Sequence, residues 1–282
     1  MEQAERDVRM KRQVLIPRQP FMILLSDTYY KKVYNQYGIS HFYTCVIKKG
    51  ITEISTSIPD CCVDLMFYWN AEKTQCGAEL VGSLLSPHGI RVREGYEYFG
   101  IRFQPGIMPA MVSLPLGDVL EQMLPLSDYI PNDDIIEQIG LAESFEQRIQ
   151  IFLNYYIPIY MQREQNYGKQ QLSQDAVGLI MQNRGNIRIG TIAEELGYSK
   201  QYVARIFTQI NGISPKQFSE IIRFQMMVQS IECSDALDTL YDFGFYDQAH
   251  FCNEFRRLSG RSPREFLQEL KQERVDERLK VL

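Results

Sequence analysis

GFYDQAHFCNEFRRLSGRSPREF, residues 244–266, is the stretch whose reading decides the fold. Gly244 can take the left-handed conformation that ends a helix. Asp247 is placed to cap the next helix, its carboxylate accepting the free amides of the first turn. Phe251, Phe255 and Leu258 then recur at helical spacing and form one apolar stripe. Gly260 ends that helix. Ser262, Pro263 and Glu265 start another, with a serine cap, a proline in the first turn and a glutamate three residues after the cap. The pattern is turn, helix, turn, helix.

It occurs a second time at 197–218, GYSKQYVARIFTQINGISPKQF. Gly197 matches Gly244, Phe207 matches Phe255, Gly212 matches Gly260, Pro215 matches Pro263 and Phe218 matches Phe266, with one extra residue around Tyr246. Ser199 stands as cap where Asp247 does, and Gln217 completes a second capping box where Glu265 does. A duplicated helix-turn-helix is far more specific than a single one. Around it, Ala176, Val177, Ile180 and Met181 mark a helix over 175–183, and Ile189, Ile192, Ala193 and Leu196 one over 188–196. Phe218, Ile221, Ile222 and Met226 give a long connecting helix over 215–231 its stripe, and 235–243 supports the second unit.

This duplicated unit, with GF, DQAHF and GRSP inside 244–263, resembles the C-terminal DNA-binding domain of AraC/XylS-type transcription regulators. The resemblance covers about a third of the chain, 172–270. It implies two helix-turn-helix units joined by a stiff helix and reading adjacent major-groove segments. If both recognition helices enter one face of B-DNA, they must lie about 34 Å apart.

Charge alone does not announce a DNA binder. The net charge is −5, and residues 172–270 hold ten Lys and Arg against twelve Asp and Glu. Phosphate binding depends on where the cations sit. Arg256, Arg257, Arg261 and Arg264 cluster in and after the second unit, while Asp235, Asp238 and Asp242 lie elsewhere.

The helical wheel supplies the contact residues. On the third helix Val203, Ile206, Phe207 and Ile210 point inward, and Gln201, Arg205 and Thr208 point the other way. Arg205 can donate two hydrogen bonds to a guanine and Gln201 can pair with adenine, while Lys200 at the helix start suits a phosphate. The repeat partners are Ala249, Asn253 and Arg256, with Gln248 and His250 in the first turn. Carried over residue by residue, the resemblance puts contacts on Gln201, Arg205, Gln248, Ala249, Cys252 and Asn253. Ala249 and Cys252 are short, so direct readout by the second helix is expected to be weaker. Arg257 is expected on a phosphate. An exposed face with no DNA contact is the plain alternative for any one of these side chains.

The first half reads differently. HFYTCVI, ITEIST, CVDLMFYW, ELVGSLL, IRVREG and YEYFGIRF, between 41 and 103, are short segments rich in β-branched and aromatic residues, separated by Gly, Pro, Asn and Asp. They suggest a sandwich or barrel. PDCCVDLMF at 59–67 and GIRFQPG at 100–106 resemble the cupin-like sensor domain of one AraC-type branch, which implies a jelly-roll that binds small effectors, dimerises, or both. Tyr68, Trp69, Tyr96, Tyr98 and Phe99 are candidate effector-pocket residues, with packing between sheets as the alternative. Alternation puts Phe67 and Trp69 on one face and Tyr68 on the other, so all five cannot line one cavity.

A cupin metal enzyme needs several histidines and a carboxylate on one ion. His41 and His88 are the only histidines in this half and read as turn or surface residues; Asp60 follows Pro59 in a turn. No catalytic residue, metal ligand or cofactor is assigned. The six cysteines lack metal-knuckle spacing and read as reduced, mostly structural thiols, with a redox sensor as the alternative.

After Pro105 the period becomes helical. A helix is expected over 108–123, around Met111, Val112, Val119 and Leu120, and a better one over 144–156. The stripe of the latter, Phe145, Ile149, Phe152, Leu153 and Tyr156, suits either a dimer seam or packing on the sheet. The polar REQNYGKQQ, 163–171, reads as a linker.

At 282 residues, two domains are expected. The chain should be α+β. A loosely held tail, 1–19, would precede a jelly-roll sensing or dimerisation domain with trailing helices, 20–161. A linker, 162–171, would lead to the all-α DNA-binding domain, 172–270, and a charged tail, 271–282. No apolar run spans a bilayer, and the charged start MEQAERDVRMKRQ is unlike a secretion signal, so the cytoplasm is the expected location. The expected function is a regulator, with activation favoured by the resemblance, whose partners are promoter DNA, RNA polymerase, a small effector and a second copy of the chain. A cupin metal enzyme with a DNA-binding appendage and a protein-binding helix pair are the rivals. A stoichiometric bound metal would favour the first; a large apolar outward face would favour the second.

Overall fold

In the computed structural model, which describes residues 15–51, 53–130, 134–162, 168–233 and 248–282, the strand-rich segments pair into one large sheet and a ribbon. After a short helix α1 (Pro20–Ile23) come β1 (Tyr29–Gln36), β2 (Ile39–Val46), β3 (Glu53–Ser57), β4 (Asp64–Trp69), β5 (Cys76–Val81), β6 (His88–Arg91), β7 (Glu97–Phe103) and β8 (Met123–Pro125). The large sheet runs β8-β5-β4-β7-β2-β1-β9, where β9 (Leu279–Val281) comes from the far end of the chain. β3 and β6 form a separate two-stranded ribbon.

Period-two alternation sorts the sheet into two faces. Phe42, Leu65, Phe67, Trp69, Phe99, Ile101 and Phe103 share one core with α2 (Asp134–Leu141) and α3 (Phe145–Gln162). The α3 stripe is used here: Phe152 makes edge contacts with Phe42 and Phe67, and Phe145 with Phe99. It packs on its own sheet, with Phe145 half-buried and Ile149, Phe152, Leu153 and Tyr156 buried. Arg148 on the same helix pairs with Glu97 and lies 4.3 Å over the Trp69 ring, whose Nε1 donates to Glu97.

Several expectations fail. No α-helix forms over 108–123; Leu116–Val119 is a 3-10 turn. Pro109 and Pro115 lack the amide donors a helix needs there, and Glu121 has φ 56°. Met111, Val112 and Val119 are buried all the same, so their spacing reports burial of an irregular segment. His41 is neither in a turn nor on the surface but inside β2 and 2% exposed. Residues 15–19 are not loose: Leu15 is buried and Gln19 Nε2 donates to Asp60 Oδ2 at 2.9 Å. Asp60 itself is buried, its turn covered by the second half of the chain.

Among the described residues, the secondary structure of the second half is helical up to its last strand. The helices are α4 (Lys169–Gln182), α5 (Ile189–Leu196), α6 (Lys200–Asn211), α7 (Pro215–Cys233), α8 (Gln248–Ser259), α9 (Pro263–Gln272) and α10 (Val275–Arg278). α4 begins six residues before the expected start and takes up the end of the expected linker. Gly197, Gly212 and Gly260 all adopt positive φ near 74°, as helix ends require. Both capping boxes form: Ser214 and Gln217 exchange hydrogen bonds at 3.2 Å, and Ser262 and Glu265 at 2.7 and 3.3 Å. The support helix expected over 235–243 and the Asp247 cap lie outside the described residues.

The two halves share one core. A single apolar cluster joins Tyr43, Met66 and Tyr98, on the second face of the sheet, to Phe207, Phe218, Phe224 and Phe266. The connecting helix α7 is therefore buried nearly all round from Ile221 to Val228, not along one stripe. Gln225 on α7 is fully buried and bonds main-chain groups of Arg18 and Pro59. At the end of α6, Gly212 meets Gly117 so closely that a side-chain carbon on Gly212 would lie 2.3 Å from the Gly117 Cα.

Candidate nucleic-acid interface

α6 is started by its cap: Ser199 Oγ accepts from Tyr202 N at 3.2 Å. Val203, Ile206 and Phe207 are buried and Ile210 half-buried, which turns the rest of the helix outward. Lys200, Gln201, Arg205 and Thr208 are all exposed. Gln201, Arg205 and Thr208 follow i, i+4, i+7 and so share one ridge.

On α8, Phe251, Phe255 and Leu258 are buried, and Gln248, Ala249, His250, Asn253, Arg256 and Arg257 are exposed. Cys252 is half-buried at the edge of this face. The two outward ridges are polar with added arginines, the chemistry of base edges and phosphates and not of an apolar partner.

Two ion pairs bolt α8 to α7, and the wheel did not disclose them. Arg223 grips the buried Glu254 through three contacts of 2.7–3.1 Å, and Arg257 Nη2 lies 2.8 Å from Glu220. His250 Nε2 is 3.8 Å from Glu254, so it borders the same acid. Arg257 is thus already partnered, and a phosphate would compete with Glu220 for it. Arg261 is drawn inward as well, onto Glu269, Thr56 and the ring of Phe21. Arg256 and Arg264 are exposed. The spacing of Glu220 and Arg223 against Glu254 and Arg257 was present in the sequence, but pairing them needs the crossing of two helices.

The five aromatics of the effector reading divide between the faces of the sheet. Trp69 and Phe99 pack in the core under α3. Tyr68 and Tyr98 sit opposite one another across β4 and β7 on the other face, and Tyr96 packs beside Tyr68. The Arg93 guanidinium lies 3.8 Å over the Tyr68 ring, and Tyr98 Oη accepts from Arg93 N. Burial raises the pKa of Tyr68 and of Tyr98.

Beneath the join of the halves lies a buried polar cluster built on Arg102, Asp60 and Asp64. Arg102 donates to Asp64 Oδ1 at 2.7 Å and to Asp60 Oδ2 at 2.9 Å, and Tyr43 donates to Asp64 at 3.2 Å. Burial raises the Asp64 pKa, while the Arg102 guanidinium acts to lower it. Cys45, Cys61 and Cys62 are free and buried; burial pushes the Cys45 thiol up to about 12 and raises the other two. Thiolate chemistry is suppressed at all three. Among the described residues no helix is long and apolar enough to cross a membrane.

Residues 192–269 match a family described as Helix-turn-helix domain, and residues 37–125 one described as Domain of unknown function (DUF6597). A probable transcription factor, PqrA of Proteus vulgaris, is 31% identical over 88 residues, which cover 30% of this chain and 72% of that protein. Two structures of ToxT from Vibrio cholerae align at TM-scores of 0.45 and 0.43, each with 11% identity, over 80% and 81% of this chain and 98% of theirs.

Proposed function

The chain belongs to the AraC-type family of DNA-binding transcription regulators, and from that premise we propose how it reads its site. α6 and α8 enter adjacent major-groove segments. Arg205 and Gln201 read base edges from the first unit. Gln248, Ala249, His250, Cys252 and Asn253 line the second, with Thr208 and Arg256 on the same ridges and Lys200 on a phosphate. Arg257 reaches a phosphate only by leaving Glu220. The observation that supports this reading is the pair of exposed polar ridges, each backed by a buried apolar stripe, the first packed on α7 through Phe207 and Phe218 and the second paired to it through Arg223 and Glu220.

Binding to a randomised duplex library tests it. Arg205→Ala is expected to cost about 1–3 kcal/mol at its preferred base pair and to relax preference there alone. Lys200→Ala is expected to weaken all sequences alike and to flatten the salt dependence. An unchanged sequence profile for Arg205→Ala would overturn the assignment.

The finer reading is a cytoplasmic activator that contacts RNA polymerase, is not an enzyme, and has a first domain that takes a small effector, dimerises, or does both. The effector surface narrows to Tyr68, Tyr96 and Tyr98, because Trp69 and Phe99 face the other core. A dimer would use a surface other than the α3 stripe, which is buried on the sheet.

A further inference from the structure

Next to the base-reading ridge of α6 lies an aromatic pair that the reading above does not use. Tyr198 and Tyr202 stack with ring centroids 5.4 Å apart and planes 21° apart. The Arg205 guanidinium carbon lies 5.2 Å from the centroid of the Tyr202 ring. Tyr198 lies just before the Ser199 cap and stacks on Tyr202 in the first turn of α6, and Arg205 follows Tyr202 by three residues on the same helix. Tyr198 is 52% exposed although it is large and apolar in the main.

Where Arg223, Arg257 and Arg261 are each held by a glutamate, Arg205 rests on a ring. The difference matters for readout. A carboxylate would occupy the guanidinium fork that has to meet the O6 and N7 of a guanine. A ring face attracts the cation through its quadrupole and takes none of its five N–H donors. It limits the rotamers of a long side chain and leaves the fork open toward the groove.

We propose that Tyr202 is a positioning residue for Arg205, steadied by Tyr198, and that this stack sharpens discrimination at the base pair Arg205 reads. The inference rests on the reading of Arg205 as a base contact. The bland alternative is that the tyrosines merely staple the entry of α6, next to the Ser199 cap.

The test compares the full chain with Tyr202→Leu, Tyr202→Phe, Tyr198→Ala, Arg205→Ala and the double variant Tyr202→Leu/Arg205→Ala on a randomised duplex library across a salt series. Tyr202→Leu should lose about two- to fivefold in discrimination at the Arg205 base pair, as expected for an exposed cation–ring contact, with the salt slope unchanged. Tyr202→Phe should retain discrimination, and the double variant should lose no more there than Arg205→Ala. Tyr198→Ala, at an exposed site, should show a smaller loss at the same base pair and gives the answer should Tyr202→Leu fail to fold. Weakening of every sequence alike by Tyr202→Leu, or of none, would overturn the positioning role while the Arg205 contact stood. A silent Arg205→Ala would sink both.

Discussion

Gln225 is the side chain through which α7 exchanges main-chain hydrogen bonds with the first half of the chain. It accepts from Arg18 N at 2.8 Å and donates to Pro59 O at 2.7 Å, with no exposure to water. In Gln225→Leu the buried Pro59 carbonyl and the part-buried Arg18 amide lose that partner, at about 1–3 kcal/mol. A lower denaturant midpoint with an unchanged slope is the expected result. On β2, His41 sets a pH dependence. Burial first, then Lys31, Arg102 and Arg18, hold its pKa well below the ordinary 6.5. The unfolded chain therefore binds this proton first as pH falls. The stability it contributes is present above about pH 6.5 and lost below it, at up to about 1.4 kcal/mol per unit. Asp64 acts oppositely: its raised pKa lets the folded state take up a proton before the unfolded state does, which favours folding on acidification. Urea midpoints from pH 7 to 5 should therefore fall more steeply for the wild type than for His41→Gln; parallel curves would show that His41 titrates normally.

At the scale of elements, what could be read in advance was what is local. Ser199, Ser262 and Gly197 announce helix ends because a cap acts on amides within its own turn. Phe251, Phe255 and Leu258 announce the buried side of α8 because one period governs the whole helix. The sequence does not announce β1 because Lys31 and Lys32 interrupt an apolar pattern, although Lys31 is buried in the fold. The segment 108–123 was misread because buried residues in an irregular chain can mimic helical spacing. The junction of α7 and α8 belongs to neither helix alone and carries its own expectation. Glu254→Ala leaves the part-buried Arg223 without its bidentate partner, at about 1–3 kcal/mol. Faster amide exchange confined to α8 and α9 should report it. A variant with wild-type exchange there would mean that the aromatic contacts of Phe255 with Phe224 and Phe266 hold the unit unaided.

Across the whole molecule, the end of the chain returns to its beginning. α10 and β9 occupy what reads in the sequence as a charged tail, yet β9 pairs in parallel with β1, Tyr29 opposite Leu279 and Lys31 opposite Val281. Leu282 N donates to Lys31 O at 2.8 Å, and Arg278 reaches the carbonyls of Leu24 and Ser26 at 3.1 and 3.4 Å. Three residues are too few to show a period of two, and their partners lie roughly 250 residues away, so no local pattern could reveal the strand. Its position gives it two tasks. It stitches the second helix-turn-helix unit, which continues into α10, to the sheet, alongside the Phe21–Phe266 contact at 5.4 Å. It also covers the open side of β1, whose free main-chain groups would otherwise template pairing with another strand. Deleting residues 279–282 should remove both at once. The loss in stability is small, about 1–3 kcal/mol for a few main-chain bonds, but the changes are directional. Amide exchange should rise in β1 and in α9 and α10 and stay as before in α2 and α3, which pack on the other face. Light scattering should show association that grows with protein concentration. Equal exchange throughout and a concentration-independent mass would show that the apolar join of the halves holds without the strand.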